Sequence, residues 1–126
     1  AGGARANATF LRRFVWRDLA YWTLWEFPWL PKTSMRHQYE SQVWNGTTSQ
    51  LQRWKKGTTG FPLVDAAMRQ LWAVGWMPNY LRHVVAQMLI EYMDISWKAG
   101  LEWFDWTLVD SDVAINSFMW QNGGHS

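Results

Sequence analysis

Asp112, Asn116 and Trp120 recur at intervals of four within Leu108–Asn122, LVDSDVAINSFMWQN. On an α-helix, positions i, i+4 and i+8 share one face, so a carboxylate, an amide and an indole would line one stripe. Asp110 stands just upstream, separated from Asp112 by Ser111. A purely core-facing stripe needs none of these groups. A flat polar ligand that requires both a carboxylate and an amide would account for them. The aspartates also suit a helix N-terminus, where Asp caps the backbone and the macrodipole favours negative charge. Gly123 and Gly124 can end that helix. No metal is expected here, because D-x-D lacks the glycine and distant Glu of a calcium loop. His37, His83 and His125 are not spaced as ligands either.

Arg82 is the cation best placed to meet the aspartates. A buried charge without a partner is prohibitively costly, so an Arg82 pair with Asp110 or Asp112 is expected to be buried. Such a pair could equally do no more than tie two helices together. Phe10, Arg13, Trp16, Arg17 and Ala20 form another group, on one face of an N-terminal helix. An aromatic ring beside cations suits an unstacked base and its phosphate. The plainer alternative for Arg12, Arg13 and Arg17 is a solvated basic face.

The elements that must position these residues read as helices throughout. Residues 1–8 read as a flexible lead-in. A helix follows from Phe10 to Phe27, with Leu11, Phe14, Val15, Leu19 and Trp22 expected inward and Pro28 as its stop. A long connection, 26–60, carries a short helix at Gln50–Lys56. Pro62 and Gly75 bracket the next helix, with Leu63, Ala67, Leu71 and Val74 as its stripe and Val64, Met68 and Trp72 beside it. Asn79–Met93 follows, with Leu81, Val84, Val85, Met88, Leu89 and Tyr92 inward. Ser96 caps a helix that turns Trp97, Leu101, Phe104 and Leu108 inward, and Gly100 within it marks a close helix contact. With no credible strand, the fold class is all-α.

At 126 residues, 48% of them hydrophobic, the chain can bury a single sizeable core and is not a disordered segment. It has no apolar run of bilayer length and no signal-peptide pattern. Cysteine is absent, which fits an intracellular protein. A net charge of +2 is too small for a strongly basic nucleic-acid binder. The 12 tryptophans exceed what packing alone selects, and point to stacking, electron transfer or both.

D-x-D, then Asn116, then Trp120–Gln121, preceded by TGFPLVDAAMRQLWAVGW, resembles the FAD-binding helical domain of the photolyase/cryptochrome family. The resemblance runs from about Phe10 to Asn122, and the variable residues are similar to those of plant and algal photolyase-like proteins. It implies FAD as cofactor, with Phe10, Trp76, Asn79, Arg82, Asp110, Ser111, Asp112 and Asn116 around it. The counterparts of Arg82 and Asp110 pair beside the flavin ring, and that of Asn116 faces flavin N5. An amide cannot give a proton to reduced flavin as a carboxylic acid can. Asn116 therefore leans towards photolyases, which repair from that state, and away from cryptochromes with Asp or Cys there. Trp120, Trp97 and Trp44, in SFMWQ, DISW and QVW, match the family's chain of electron-donating tryptophans.

The same resemblance implies that Arg13, Trp16, Arg17, Tyr80 and His83 meet damaged DNA, Trp16 by stacking on the lesion. Three departures bear on the substrate. Arg13 stands where the family has a carboxylate that holds cyclobutane dimers, Tyr80 where it has an arginine, and Asn122 where it has a second tryptophan. His83 resembles the (6-4) photolyase pattern, whereas Asn79 resembles the cyclobutane one. The family's phosphate-cradling Ser/Thr segment and its α/β antenna domain, which can hold a second chromophore, are not matched within the 126 residues. The chain is thus expected to be a partial FAD-binding domain carrying the isoalloxazine side. Light-driven repair of pyrimidine photoproducts is the function implied. A blue-light receptor acting through a partner protein is the alternative, and a cofactor-free Trp-rich nucleic-acid module a third reading.

Overall fold

The computed structural model describes residues 2–36 and 42–122, all helical or irregular and without a strand. His37, Gly123, Gly124 and His125 lie outside the described residues. Among the described residues six α-helices follow in order: α1 (Gly2–Glu26), α2 (Thr48–Lys56), α3 (Pro62–Val74), α4 (Asn79–Gln87), α5 (Trp97–Thr107) and α6 (Val113–Asn122). A π-helical turn, Met88–Tyr92, continues α4. No described helix is long and apolar enough to cross a membrane.

The caps explain where the middle helices begin and end. Thr47 and Gln50 form a reciprocal capping box at the start of α2. Pro62 occupies the first turn of α3, and Gly75 closes it at φ 70° in the left-handed region. The Ser96 side chain accepts from Lys98 N at the start of α5. α1 stops at Glu26, before Pro28, as proline requires.

Four expectations are corrected. α1 starts at Gly2, so residues 2–8 are helical where the sequence suggests a flexible lead-in. Ala4, Ala6 and Ala8 are strong helix formers that extend the helix backwards. Its packed side is also not the predicted one. Leu11, Val15 and Trp22 are 62%, 67% and 57% exposed, while Ala20 and Thr23 are buried. Thr23 tolerates burial because its hydroxyl donates to Leu19 O at 2.7 Å. In α3 the buried set is Val64, Ala67, Met68 and Leu71, and Leu63 and Val74 face solvent. After α4, the wider π-turn shifts the helical phase, so Tyr92 ends up exposed.

Two clusters result. The larger gathers Trp54, Met68, Leu71, Val85, Leu89, Trp97, Leu101, Phe104 and Trp120 from α2 through α6. The smaller joins Ala20 of α1 to Ala114 and Phe118 of α6. α6 therefore serves both, with Trp120 in one cluster and Phe118 in the other. Buried Gln121 fixes its far end, donating to Leu30 O at 2.6 Å and accepting from Met35 N at 2.5 Å. The expected close contact at Gly100 is present: a Cβ there would lie 2.2 Å from Trp120 Cη2 and 2.8 Å from Leu89 Cδ2.

Candidate functional site

The connection between α5 and α6 is held from two sides. Val109 N donates to Gly75 O at 2.8 Å, which ties it to the end of α3. At its other end, Asp112 caps α6: Oδ1 accepts from Ile115 N at 3.0 Å. Its second oxygen, Oδ2, accepts from the Tyr21 hydroxyl of α1. That hydrogen bond, with the negative charge of Asp112, holds the Tyr21 phenol above its ordinary pKa. Asp112 thus joins α1 to α6 as well as capping.

Arg82 of α4 is anchored by Nε to Met77 O at 2.8 Å. Its Nη2 reaches Asp110 Oδ2 at 3.1 Å and Oδ1 at 3.3 Å. The pair exists but is not buried, since the two side chains are 24% and 48% exposed. The expectation of a deeply buried pair is therefore corrected: α4 and the 108–112 connection meet at the rim of a cavity, where water still reaches the carboxylate.

Asp105, in the last turn of α5, was not singled out from the sequence. Its Oδ1 accepts from Asn116 Nδ2 at 2.6 Å and from Ser111 Oγ at 2.8 Å. A signal was available, because an acid near a helix C-terminus opposes the macrodipole and calls for a partner. A carboxylate only accepts, so the group it holds on Asn116 must be the NH2. The amide orientation, usually ambiguous, is settled by that partner.

A cavity of about 210 Å³ is lined by Asn79, Arg82, His83, Asp110, Ser111, Asp112, Asn116 and Trp120, with Ala86, Leu108, Ile115 and Met119 as its apolar wall. The i, i+4, i+8 stripe of α6 opens into it as expected. Trp120, only 4% exposed, also sets its ring edge against Phe104 at 4.9 Å and Trp54 at 6.4 Å between centroids. Trp54 is locked by its Nε1 donating to Val85 O at 2.9 Å. Trp97 is buried in the same cluster, and half-buried Trp44 packs against it. The Trp44 segment is pinned by Asp94, whose Oδ2 accepts from Asn45 N at 3.1 Å and from Asn45 Nδ2 at 3.0 Å.

A larger cavity of about 690 Å³ adjoins the first and shares Asn79, His83, Ile115 and Met119 with it. α1 supplies its other side: Arg12, Arg13, Trp16, Arg17 and Ala20. Trp16 is half exposed, with its ring 6.1 Å from that of Phe118. Arg17 lies over the Phe14 ring at 4.7 Å and 3.5 Å from Asp18 Oδ1. Phe10, Trp76 and Tyr80 line neither cavity and are 60%, 47% and 63% exposed.

The smaller cavity combines a guanidinium, carboxylates, an amide oxygen and an apolar wall. That donor and acceptor set suits a flat heterocycle bearing N–H and C=O groups along one edge, and the isoalloxazine ring of FAD fits it.

Residues 10–126 match the family model described as the FAD binding domain of DNA photolyase. The chain is 40% identical over 112 residues to a deoxyribodipyrimidine photo-lyase of Agrobacterium fabrum, covering 89% of this chain and 23% of that protein. It is 33% identical over 119 residues to cryptochrome-2 of Arabidopsis thaliana, covering 94% of this chain and 19% of that protein. A crystal structure of a bacterial class III photolyase from Agrobacterium tumefaciens superposes with a TM-score of 0.90 at 39% identity, covering 94% of this chain and 24% of the other. The chain thus spans about a quarter or less of the length of the proteins it matches.

Proposed function

The chain belongs to the photolyase/cryptochrome family, as a part of its FAD-binding domain, and from that premise we propose that the whole protein repairs pyrimidine photoproducts in DNA by light-driven electron transfer. The observation that carries this reading is the shared wall of the two cavities. A ring held in the smaller one and an unstacked base held in the larger one would be separated only by residues such as Asn79 and Met119.

FAD, when bound, supplies the light-absorbing electron donor. Arg82 and Asp110 would meet its polar edge, and Asn116 would present its amide oxygen there. In the larger cavity Trp16 offers a face for stacking, and Arg12, Arg13 and Arg17 offer positive charge to the backbone phosphates. His83 lines both cavities and would offer its ring to hydrogen-bond the lesion. Trp120 would return an electron to the ring from within, with Trp97 as relay and Trp44 as the outer, water-accessible site. Phe10, Trp76 and Tyr80 would meet cofactor or DNA only through contacts beyond these two cavities.

Repair of a thymine dimer in an oligonucleotide, by the full-length protein in its reduced state under blue light, tests the reading. Flavin-loaded protein that leaves both dimers and (6-4) products unchanged would overturn it in favour of a blue-light receptor. The Arg13 side chain in the larger cavity favours that second reading, because a cation there replaces the carboxylate on which the dimer-repairing relatives are expected to rely.

A further inference from the structure

Asn116 has two faces of opposite hydrogen-bonding character, and only one is already committed. Asp105 Oδ1 takes the Nδ2 end at 2.6 Å and is itself tied to Ser111 Oγ at 2.8 Å. Held in this way, the amide plane is fixed and its Oδ1 is the acceptor left for whatever enters the cavity that Asn116 lines. An unrestrained asparagine would instead rotate to suit its neighbour. It could donate to a bare ring nitrogen or accept from a protonated one with similar ease.

We propose that Asp105 is a positioning residue that locks the Asn116 amide with its oxygen towards the cofactor, so that the site favours a flavin whose facing ring nitrogen carries a proton. The inference rests on the FAD reading above and adds a residue and a direction to it. The lock works through hydrogen bonding, so any acceptor of similar reach at position 105 would preserve it. The charge of Asp105 alone would act differently, at a distance and without need of Asn116.

The test uses full-length flavoprotein and reads the midpoint potential of the bound flavin, together with FAD retention and thermal stability. Asp105→Leu removes the acceptor, whereas Asp105→Asn keeps a carbonyl oxygen to hold the same NH2. At a fixed ambient potential, the Leu variant should lower the ratio of reduced to oxidised flavin about tenfold, about 30 mV for a two-electron couple. The Asn variant should remain close to wild type. In an Asn116→Leu background the effect of Asp105→Leu should vanish, which is the signature of coupling through that side chain. Asp105 is exposed, so the Leu variant is expected to fold; Asp105→Ala gives the same comparison if it does not.

An unchanged potential in Asp105→Leu overturns the inference, as does an equal shift with and without Asn116. An equal loss in the Asn variant overturns it too, since charge and not acceptor geometry would then be responsible. Wild-type protein that purifies without flavin and takes up none removes the cofactor reading and this inference with it.

Discussion

Adding one methyl group at Gly100 should disturb the site more than the fold. Local propensity favours the change: alanine in a helix interior is better than glycine by about 1 kcal/mol. Packing opposes it, because the new Cβ would lie 2.2 and 2.6 Å from two Trp120 ring carbons and 2.8 Å from Leu89 Cδ2. The indole has to withdraw by roughly an ångström to reach an ordinary carbon–carbon separation of about 3.5 Å. Phe104 and Trp54, both in ring contact with it, limit where it can go. Overpacking of this kind costs about 1–3 kcal/mol. The balance for Gly100→Ala is therefore from near zero to about 2 kcal/mol of destabilisation. Because Trp120 lines the smaller cavity, the larger consequence is a shifted ring there and weaker FAD retention. Thermal unfolding of the full-length protein measures the first effect, and near-UV circular dichroism with flavin content the second. Ala66→Gly, at an exposed position in α3, calibrates propensity alone. Refutation would be Gly100→Ala raising the melting temperature by as much as Ala66→Gly lowers it, with unaltered aromatic dichroism.

Arg82→Ala should cost about 0.2–1 kcal/mol, the range for an exposed ion pair, not the 3–5 kcal/mol of a buried one. A loss of several kcal/mol in chemical denaturation would show the pair to be more protected than its exposure indicates. Asp65 should make stability pH-dependent. Partial burial pushes its carboxyl up, but hydrogen bonds from the Thr59 hydroxyl and the Thr59 and Gly60 amides, with Arg69 nearby, hold it below its ordinary value. A lowered folded pKa stabilises above the unfolded value and is lost as pH falls through the folded one. The wild-type advantage over Asp65→Asn should thus be full above about pH 5 and fade below about pH 4, as melting curves across that range would reveal. Trp120→Phe should abolish rapid photoreduction of oxidised flavin in transient absorption, whereas Trp106→Phe should not. Trp44→Phe should permit the first transfer but shorten the life of the separated charges. Equal photoreduction in wild type and Trp120→Phe would remove the tryptophan path.

The helices, and the ends marked by Pro62, Gly75 and Ser96, were legible because caps are local chemistry that acts within a few residues. The Thr47–Gln50 box is equally local but passed unread, so α2 begins at Thr48 and not at the expected Gln50. The stripe of α6 was legible for the same reason, since 3.6-residue periodicity alone brings Asp112, Asn116 and Trp120 together. Which side of α1 is packed was not legible. Leu11, Val15 and Trp22 mark an apolar face, but periodicity does not say where its neighbour lies, and α6 meets the Ala20 side instead. The exposure of the Arg82–Asp110 pair and the role of Asp105 depend on how the 108–112 connection crosses between helices. That geometry follows from contacts such as Val109 with Gly75, which no local pattern encodes.

The split of the interior into two clusters has a consequence for how the protein is made. α2 through α5 form a core mostly among near neighbours and can begin to assemble as they emerge. α1 has no such recourse, because its tie to α6 spans 91 residues between Tyr21 and Asp112. At a synthesis rate of about 5–20 residues per second, α1 waits roughly 5–20 s on or near the ribosome before its partner exists. During that interval Ala20 and Leu24, which pack with Ala114 and Phe118 once α6 is made, lie uncovered beside Leu11, Val15, Trp22 and Trp25, which stay exposed after docking, and together they form a surface suited to chaperone capture. Of these helices α1 is thus made before its partner and among the last to dock, and slowed elongation near residues 113–122 should lengthen its wait and also delay the seating of Trp120 in the larger cluster.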